Sequence, residues 1–336
     1  MKLSQLGEFG LIDKIRRAAP KSRSVRLGIG DDAAWVDSPA ASFLVTADLL
    51  LEGVHFNLKW TSLFDLGHKS LAVNLSDIAA MGGVPAYTVV SLGIPAHFRT
   101  QQIDEFYRGM NRLARASRVS LVGGDTSAAK SLVVSVALLG HAPHRPITRG
   151  GARIGDDIYV TGTLGDAALA LQLLKSDSPS LRHPAATFLL KRHHRPVARC
   201  RAGFLLARRR LAAAMIDLSD GLLQDLGHVC NASGIGAVLR EENLPLSRAY
   251  HMLAGKAGNR WALSGGEDYE LLFCARRGQR AAIQAVARQA GVPITRIGSC
   301  VAKERGVTVL DPSGKTVRVS ARGHDHFGGL VLGRLK

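Results

Sequence analysis

Six short stretches of this chain set carboxylates among glycines and small polar residues: GIGDDAA (28 to 34), TADLLLEGVHF (46 to 56), NLSDIAAMGG (74 to 83), VGGDTS (122 to 127), IDLSDG (216 to 221) and SGGEDYEL (264 to 271). One acid at a turn is usually a cap or an acceptor for glycine-rich backbone. Several together are a different matter. Asp48, Asp125 and Asp217 each end or follow an apolar, strand-like run, and α/β folds gather their ligands at such edges. Carboxylates converging there repel one another unless a cation holds them. Hard divalent ions suit oxygen ligands, and magnesium takes a few carboxylates while completing its shell from water and substrate phosphates. Ser70, Asn74 and Asp77 add to this, since their spacing draws a polar stripe down a helix between Leu71, Leu75 and Ile78.

Other chemistries are excluded by what the chain lacks. No GxxxxGK[ST], HRD or DFG is present, so neither a P-loop nor a protein-kinase site is expected. Residues 28 to 33 fit GxGxxA, but Asp31 and Asp32 would aim negative charge at a bare pyrophosphate; with bridging Mg²⁺ the same loop suits a nucleotide polyphosphate. There is no GxSxG elbow, and the 12 histidines form no HExxH. The 4 cysteines form no CxxC, so neither a zinc site nor a disulfide framework is indicated. Phosphoryl transfer needs no nucleophile of the protein's own: positioning and charge neutralisation carry it.

The elements that must position these acids follow from periodicity. Strands are expected at 43 to 48, 87 to 93, 119 to 123 and 131 to 140, with helices at 64 to 80 and 100 to 117. The segment 142 to 157, rich in Pro, Gly and charge, divides a domain 1 to 141 from a domain 142 to 336. In the second, strands are expected at 157 to 161, 213 to 217, 236 to 240, 268 to 275 and 294 to 299, with a hairpin at 306 to 320 turning at Asp311 to Gly314. Helices are expected at 163 to 175, 198 to 211, 220 to 232 and 278 to 290. DLLLEG with DLG in the first half echoes DLSDGLLQDLG in the second, which suggests two related α/β domains facing one another.

A chain of 336 residues has room for two such cores. Its net charge of +17 attracts polyanions, and the densest basic run, 191 to 210, is expected to form the solvated face of a helix. The uncharged stretch 78 to 98 is broken by Gly82, Gly83, Pro85 and Pro95, so it reads as a helix end, a turn and a buried strand and not as a membrane span. MKLSQLGEFGLIDK has no apolar signal-peptide core, and a reducing cytoplasm is expected.

Taken in order, GEFGLI (7 to 12), GDDAA, TADLLLEGVHF, HKSLAVNLSDIAAMGG, VGGDT, RGGARIGD, IDLSDGL, SGGEDYELLF and GHDHF (323 to 327) resemble the thiamine-monophosphate kinase family, in the superfamily of aminoimidazole ribonucleotide synthetase. The resemblance implies an α/β (α+β) fold of two related domains, a homodimer formed by pairing of the N-terminal sheets, and an active site in the groove between domains. It implies direct transfer of the ATP γ-phosphate to thiamine monophosphate with several Mg²⁺ ions and no phosphoenzyme. Asp31, Thr46, Ala47, Asp48, Asp77, Asp125 and Asp217 would form the metal shell, with Asp220 on a further ion; Asp48, Asp125 and Asp217 would be the catalytic acids. Tyr107, Gly124, Asp125, Arg149 and Ser219 would contact ATP. His55, an acid of the Glu267–Asp268 pair and Phe327 would hold thiamine monophosphate, whose cationic thiazolium suits an aromatic face and a carboxylate. Gly150, where a serine is expected, and Trp35, where a small aliphatic is expected, depart from the pattern.

Two alternatives remain at this point. One is another ATP-using enzyme of the superfamily, although no cysteine precedes Cys200, as the selenophosphate synthetase branch would want, and the chain ends GRLK without the cysteine of the hydrogenase-maturation branch. The other is a basic nucleic-acid-binding protein on the same fold, against which the many mutually repelling acids count.

Overall fold

The structure is a computed structural model that describes residues 10, 12, 13, 16, 17, 24 to 37, 42 to 317, 321 to 325 and 329 to 332. Phe327, expected above in the substrate site, lies outside the described residues. The first sheet comprises β1 (Val25–Leu27), β2 (Ala34–Asp37), β3 (Ser42–Leu51), β4 (Val84–Ile94), β5 (Ser120–Ala128) and β6 (Val133–His141), in the order β1-β2-β3-β6-β4-β5. Its pairs are antiparallel except β4 with β5. Along β3, Leu44, Thr46 and Leu50 point to the covered face while Ala47 and Leu49 are exposed on the other, as a period of two requires.

Two helices cover that face, α1 (Leu63–Ala80) and α2 (Thr100–Ser117). Ser62 caps α1 by accepting the Asp65 N–H. The helices cross closely because glycine lets backbone meet backbone: a Cβ on Gly67 would lie 1.9 Å from the Phe106 carbonyl oxygen, and one on Gly109 would lie 1.9 Å from that of Phe64. Only Phe64, Asp65, His68 and Asp77 of α1 escape full burial. A helix buried on all sides has neighbours on all sides.

The neighbours on its far side belong to the second sheet, which comprises β7 (Asp157–Thr161), β8 (Ala214–Asp217), β9 (Gly236–Arg240), β10 (Leu271–Ala275), β11 (Ile294–Val301) and β12 (Val307–Leu310), in the order β12-β9-β11-β7-β10-β8. Only β12 with β9 is parallel. Strands β7 and β10 are buried at every residue, so alternate side chains feed two cores. Ile158, Val160, Leu272 and Cys274 enter one; Tyr159, Leu271 and Phe273 enter the other, which also receives Ala79 and Ala80 from α1. The second core therefore spans the domain seam. Around the sheet lie α3 (Asp166–Lys175), α4 (Pro184–His194), α5 (Cys200–Arg208), α6 (Leu222–Ser233) and α7 (Arg280–Ala290), with a terminal hairpin of β13 (Ala321–Asp325) and β14 (Gly329–Leu332).

Two expectations are corrected. The strands expected to stop at 48 and 123 run on, so Asp48 and Asp125 sit inside β3 and β5 and not at their ends. These sheets are mainly antiparallel, and their acids are placed by which face they point to, not by a shared carboxyl edge. The basic run 191 to 210 is not one solvated helix face. It is divided between the end of α4 and all of α5, and Arg192 and Arg199 turn inward to bind Glu270, which is fully buried.

Glycine permits a close backbone approach across the seam: a Cβ on Gly203 of α5 would stand 2.0 Å from the Ala79 carbonyl oxygen of α1. Gly203→Ala gains about 1 kcal/mol of helix propensity but must push two backbones apart, which costs about 1–3 kcal/mol. A lower urea midpoint is expected; a midpoint equal to or above wild type would show that the helices do not approach so closely.

A candidate active site at the domain seam

Carboxylates from both domains meet beside the end of α1. Asp32 comes from the loop before β2, Asp77 from the last turn of α1 and Asp217 from the last residue of β8, and each offers an oxygen within 4.8 Å of the others. Thr46 and Asp48, two residues apart on β3, turn to the same side. Thr46 Oγ1 donates to Asp77 Oδ2 at 2.5 Å, and Ser76 Oγ donates to Asp217 Oδ2 at 2.6 Å. Arg149, in the segment between the sheets, donates from Nη2 to Asp32 Oδ1 at 2.8 Å and from its backbone N–H to Asp31 Oδ2 at 3.0 Å. Among the described residues it is the one guanidinium bonded to the group.

One cation does not balance so many acids. Asp32 Oδ2 and Asp48 Oδ2 are buried without a hydrogen-bond partner. Burial, then the charge of Asp32, raises the Asp217 carboxyl to about 8. Burial raises Asp48 to about 6, and burial followed by Asp32 raises Asp31 to about 6. Asp77 stands well above the carboxylate range through burial and then Asp48, Asp217 and Asp32. These groups carry protons at pH values where free carboxylates do not, because negative charge here lacks compensation. Orphaned oxygens, convergent carboxylates and a threonine hydroxyl are the donor set of a hard divalent cation such as Mg²⁺.

A second group adjoins the first. Asp220, Asp225 and His228 offer ligand atoms within 4.8 Å of one another at the start of α6. Asp225 Oδ2 accepts the backbone N–H groups of Asp220 at 3.2 Å and Gly221 at 3.0 Å, while Gln224 Nε2 donates to Asp220 Oδ2 at 3.0 Å. Burial, then Arg149, holds His228 down to about 4, so its imidazole is neutral.

The SGGEDYEL stretch divides its acids differently. Glu267 pairs with Lys69 of α1 at 2.5 Å and lies 3.1 Å from His193 Nδ1. Burial works against its charge, but Lys69 and then His193 hold the carboxyl well below the usual range. Asp268 Oδ2 accepts the Gly165 N–H at 2.7 Å, while its Oδ1 is buried without a partner. Glu270 receives Arg192, Arg199 and Thr161 Oγ1. Glu267 and Tyr269 both take left-handed backbone, with φ of 72° and 50°, a strain that non-glycine residues show mainly where function or surrounding structure demands it. That turn brings Tyr269 up to the acids: burial raises its phenol well above its ordinary value, followed by Glu267, Asp48, Asp217 and Asp220.

Of the residues expected from sequence, Thr46, Asp48, Asp77, Arg149 and Asp217 are thus gathered at the seam, with Asp220 alongside. The carboxylate grouped with Asp77 and Asp217 is that of Asp32, whereas Asp31 is turned to the Arg149 backbone. His55 sits on the turn after β3, its Nδ1 accepting the Leu51 N–H at 3.0 Å. The Ser219 carbonyl accepts the Glu267 N–H at 2.8 Å, which ties the two C-terminal acid loops together. Asp125 lies outside both groups, exposed on edge strand β5, where its Oδ1 accepts the Thr126 N–H at 2.8 Å. Gly124 precedes it because any Cβ would meet the Val90 carbonyl oxygen at 1.8 Å. Ala47 is exposed on the face of β3 away from Thr46, and Tyr107 packs on the first core from α2. Asp225, His228 and Tyr269 were not singled out from sequence; the five- and eight-residue spacing after Asp220 was the signal available for the first two. At the two departures, Trp35 donates to Asp37 at 3.1 Å, and a side chain on Gly150 would crowd the Ala232 carbonyl at 3.1 Å.

The AIR synthase related protein family matches over both of its parts, the N-terminal domain at residues 30–142 and the C-terminal domain at 153–311. A thiamine-monophosphate kinase of Salmonella typhimurium is 40% identical over 326 residues, covering 96% of this chain and 98% of its own. A solved structure described as "AaThiL complexed with AMPPCP and TMP" superposes with a TM-score of 0.85 at 35% identity, covering 97% of this chain and 99% of that one. The crystal structure of thiamine-monophosphate kinase from Stenotrophomonas maltophilia K279a gives 0.77 at 40% identity, covering 92% and 98%.

The raised carboxyls set a pH dependence. A carboxyl whose folded pKa exceeds its unfolded value takes up protons on folding, so the ionised group lowers stability as pH rises from about 4 through the folded value, here about 8 for Asp217. A divalent cation competes with those protons. The rise in thermal midpoint on adding Mg²⁺ to EDTA-treated protein should therefore be several degrees larger at pH 8 than at pH 6, and Asp217→Asn should remove most of it. A midpoint shift independent of pH in wild type would contradict a cation held by these acids.

Proposed function

This chain belongs to the thiamine-monophosphate kinase family of AIR synthase related proteins, and from that premise we propose direct, in-line transfer of the ATP γ-phosphate to the phosphate of thiamine monophosphate, giving thiamine diphosphate and ADP. The observation that carries the reading is the group of Asp32, Asp77 and Asp217 with Asp48 beside it, in which Asp32 Oδ2 and Asp48 Oδ2 are buried and unpartnered. AMPPCP, an ATP analogue with a carbon bridge, and TMP are both bound in the related complex named above.

Asp32, Asp48, Asp77 and Asp217 would hold Mg²⁺ with the Thr46 hydroxyl, and Asp220 with Asp225 a further ion. Bound there, the ions supply positive charge that draws two phosphate-bearing anions together and stabilises the transferring phosphoryl group. The chain's own residues do the rest. Arg149 offers a planar fork that fits phosphate oxygens once Asp32 turns to a metal. The acceptor is already ionised, so no general base is needed. Thr46 and Ser76 hold the Asp77 and Asp217 carboxylates in fixed orientations and reduce the reorganisation required when ligands bind. His55, on the turn next to the acid strand, is proposed to contact thiamine monophosphate; Glu267, committed to Lys69 and His193, is proposed to position the loop that carries Tyr269.

A homodimer is proposed as well. The face of the first sheet away from its helices leaves Leu49 52%, Tyr87 47% and Val122 59% exposed, and all of edge strand β5 is open. Pairing there would set Gly124 and Asp125 at the subunit boundary, which accounts for their distance from the acid group. No helix among the described residues is long and apolar enough to cross a membrane.

Purified protein given ATP, Mg²⁺ and thiamine monophosphate should form thiamine diphosphate; aminoimidazole ribonucleotide synthetase activity in its place would move the chain to another branch. Asp32→Asn should lower kcat by roughly a hundredfold or more, and Asp31→Asn by much less; the reverse order would return the metal role to Asp31. Sedimentation should give a dimer that Val122→Asp dissociates, and a wild-type monomer at micromolar concentration would remove the pairing.

A further inference from the structure

The net charge of +17 is not explained by a site built of acids. Part of it converges elsewhere. A cavity of about 390 Å³ opens on the second domain, lined by Arg153, Arg210 and Arg276, with Leu211, Ala212 and Ala213 as an apolar floor. The three arginines come from separate segments: the stretch before β7, the end of α5 and the residue after β10. None of the three forms an ion pair among the described residues, whereas Arg192, Arg199, Arg280 and Arg296 all do. The carboxylate in the lining is Asp156, whose Oδ2 already accepts the Arg153 N–H at 2.9 Å. Arg210 takes left-handed backbone, φ 53°, at the end of a helix where glycine usually serves.

We propose that this cavity binds a small molecule through linked phosphates, at a site separate from the acid group. Guanidinium forks match phosphate oxygens bidentately. A concave site of this size takes a diphosphate or a nucleotide, and a shallow basic face would be expected for a nucleic acid. Two walls of the cavity lead to the acid group along the chain. Ala213 runs straight into β8, which ends at Asp217, about 13 Å away in an extended strand. In the other direction Gly151 and Arg153 follow Arg149, and the two walls are joined where Met215 N–H donates to the Thr148 carbonyl at 3.0 Å. A ligand here touches the segments that place the Asp217 carboxylate and the Arg149 fork.

The test is calorimetric titration of the full chain with inorganic phosphate, inorganic diphosphate and ADP in separate arms, with EDTA present so that the acid group repels anions. One diphosphate per chain is expected, bound more tightly than phosphate; ADP binding tighter still means that the base adds contacts, and ADP equal to diphosphate means that the phosphates suffice. The double variant Arg153→Ala, Arg276→Ala should weaken diphosphate roughly tenfold or more, with Arg153→Lys, Arg276→Lys recovering part of the affinity. Both replace exposed side chains, so unchanged thermal midpoints and unchanged formation of thiamine diphosphate exclude a folding effect. Equal affinity in wild type and the alanine variant, or no binding in any arm, overturns the proposal. Tighter binding of a short single-stranded RNA than of diphosphate, lost in the alanine variant, overturns it in favour of a nucleic-acid surface. Because the readout is binding without metal, it stands or falls apart from the kinase activity.

Discussion

The repulsion among carboxylates in a buried seam is the constraint to which the rest of the architecture answers. Two unit charges 4.8 Å apart, the span of the Asp32, Asp77 and Asp217 oxygens, cost about 3.5 kcal/mol at an effective dielectric of 20. Three such pairs approach the whole stability of an ordinary domain, about 5–15 kcal/mol. The folded chain can sustain them only by taking up protons or cations. The raised Asp48, Asp77 and Asp217 carboxyls follow the first route, and a divalent ion would supply the second.

Acids elsewhere show what compensation looks like, and the contrast separates scaffold from site. Glu270 is fully buried and holds two arginines and a threonine hydroxyl; Asp157 is fully buried and holds Arg280 and Arg296. Glu267 holds Lys69, which reaches it from α1 across the domain boundary. Removing one partner from such a pair is costly because the other stays buried and charged, so these contacts fix the loop between Gly265 and Glu270 in one conformation. Its strained turns at Glu267 and Tyr269 are flanked by the Lys69 pair from α1 and the Arg192 and Arg199 pairs to Glu270. The helix that lends Asp77 to the acid group thus also braces the loop facing it.

Much of this was legible in the sequence because both ingredients leave periodic traces. The alternation in LVTADLLL identifies the strand and puts Thr46 and Asp48 on one side of it, and the spacing of Ser70, Asn74 and Asp77 identifies a helix with a polar seam. Strand ends were harder: apolar runs do not distinguish parallel from antiparallel pairing, and it was the parallel picture that placed acids at strand ends. Neighbouring Asp31 and Asp32 are chemically equivalent in sequence, and only the fold decides that one turns to the Arg149 backbone and the other to the acids. The run from 191 to 210 misled for a related reason. Charge counts cannot show that Glu270, some 70 residues on, would draw Arg192 and Arg199 inward. Tyr269 carried no signal, since it reaches the site through a backbone conformation and not through spacing.

The same electrostatics bear on the order of events at the site. A chain of +17 draws anionic ligands toward its surface, yet at the seam a bare nucleotide would meet four carboxylates and, among the described residues, one arginine that is already bound to Asp32. Long-range attraction and short-range repulsion would therefore oppose each other where no cation is bound. A divalent cation held by Asp32, Asp48, Asp77 and Asp217 would supply the charge that offsets this repulsion, and Arg149, now bound to Asp32, would then be available to a phosphate. On the proposed reading, an acidic site in a basic protein would favour metal-bound nucleotide over the free anion.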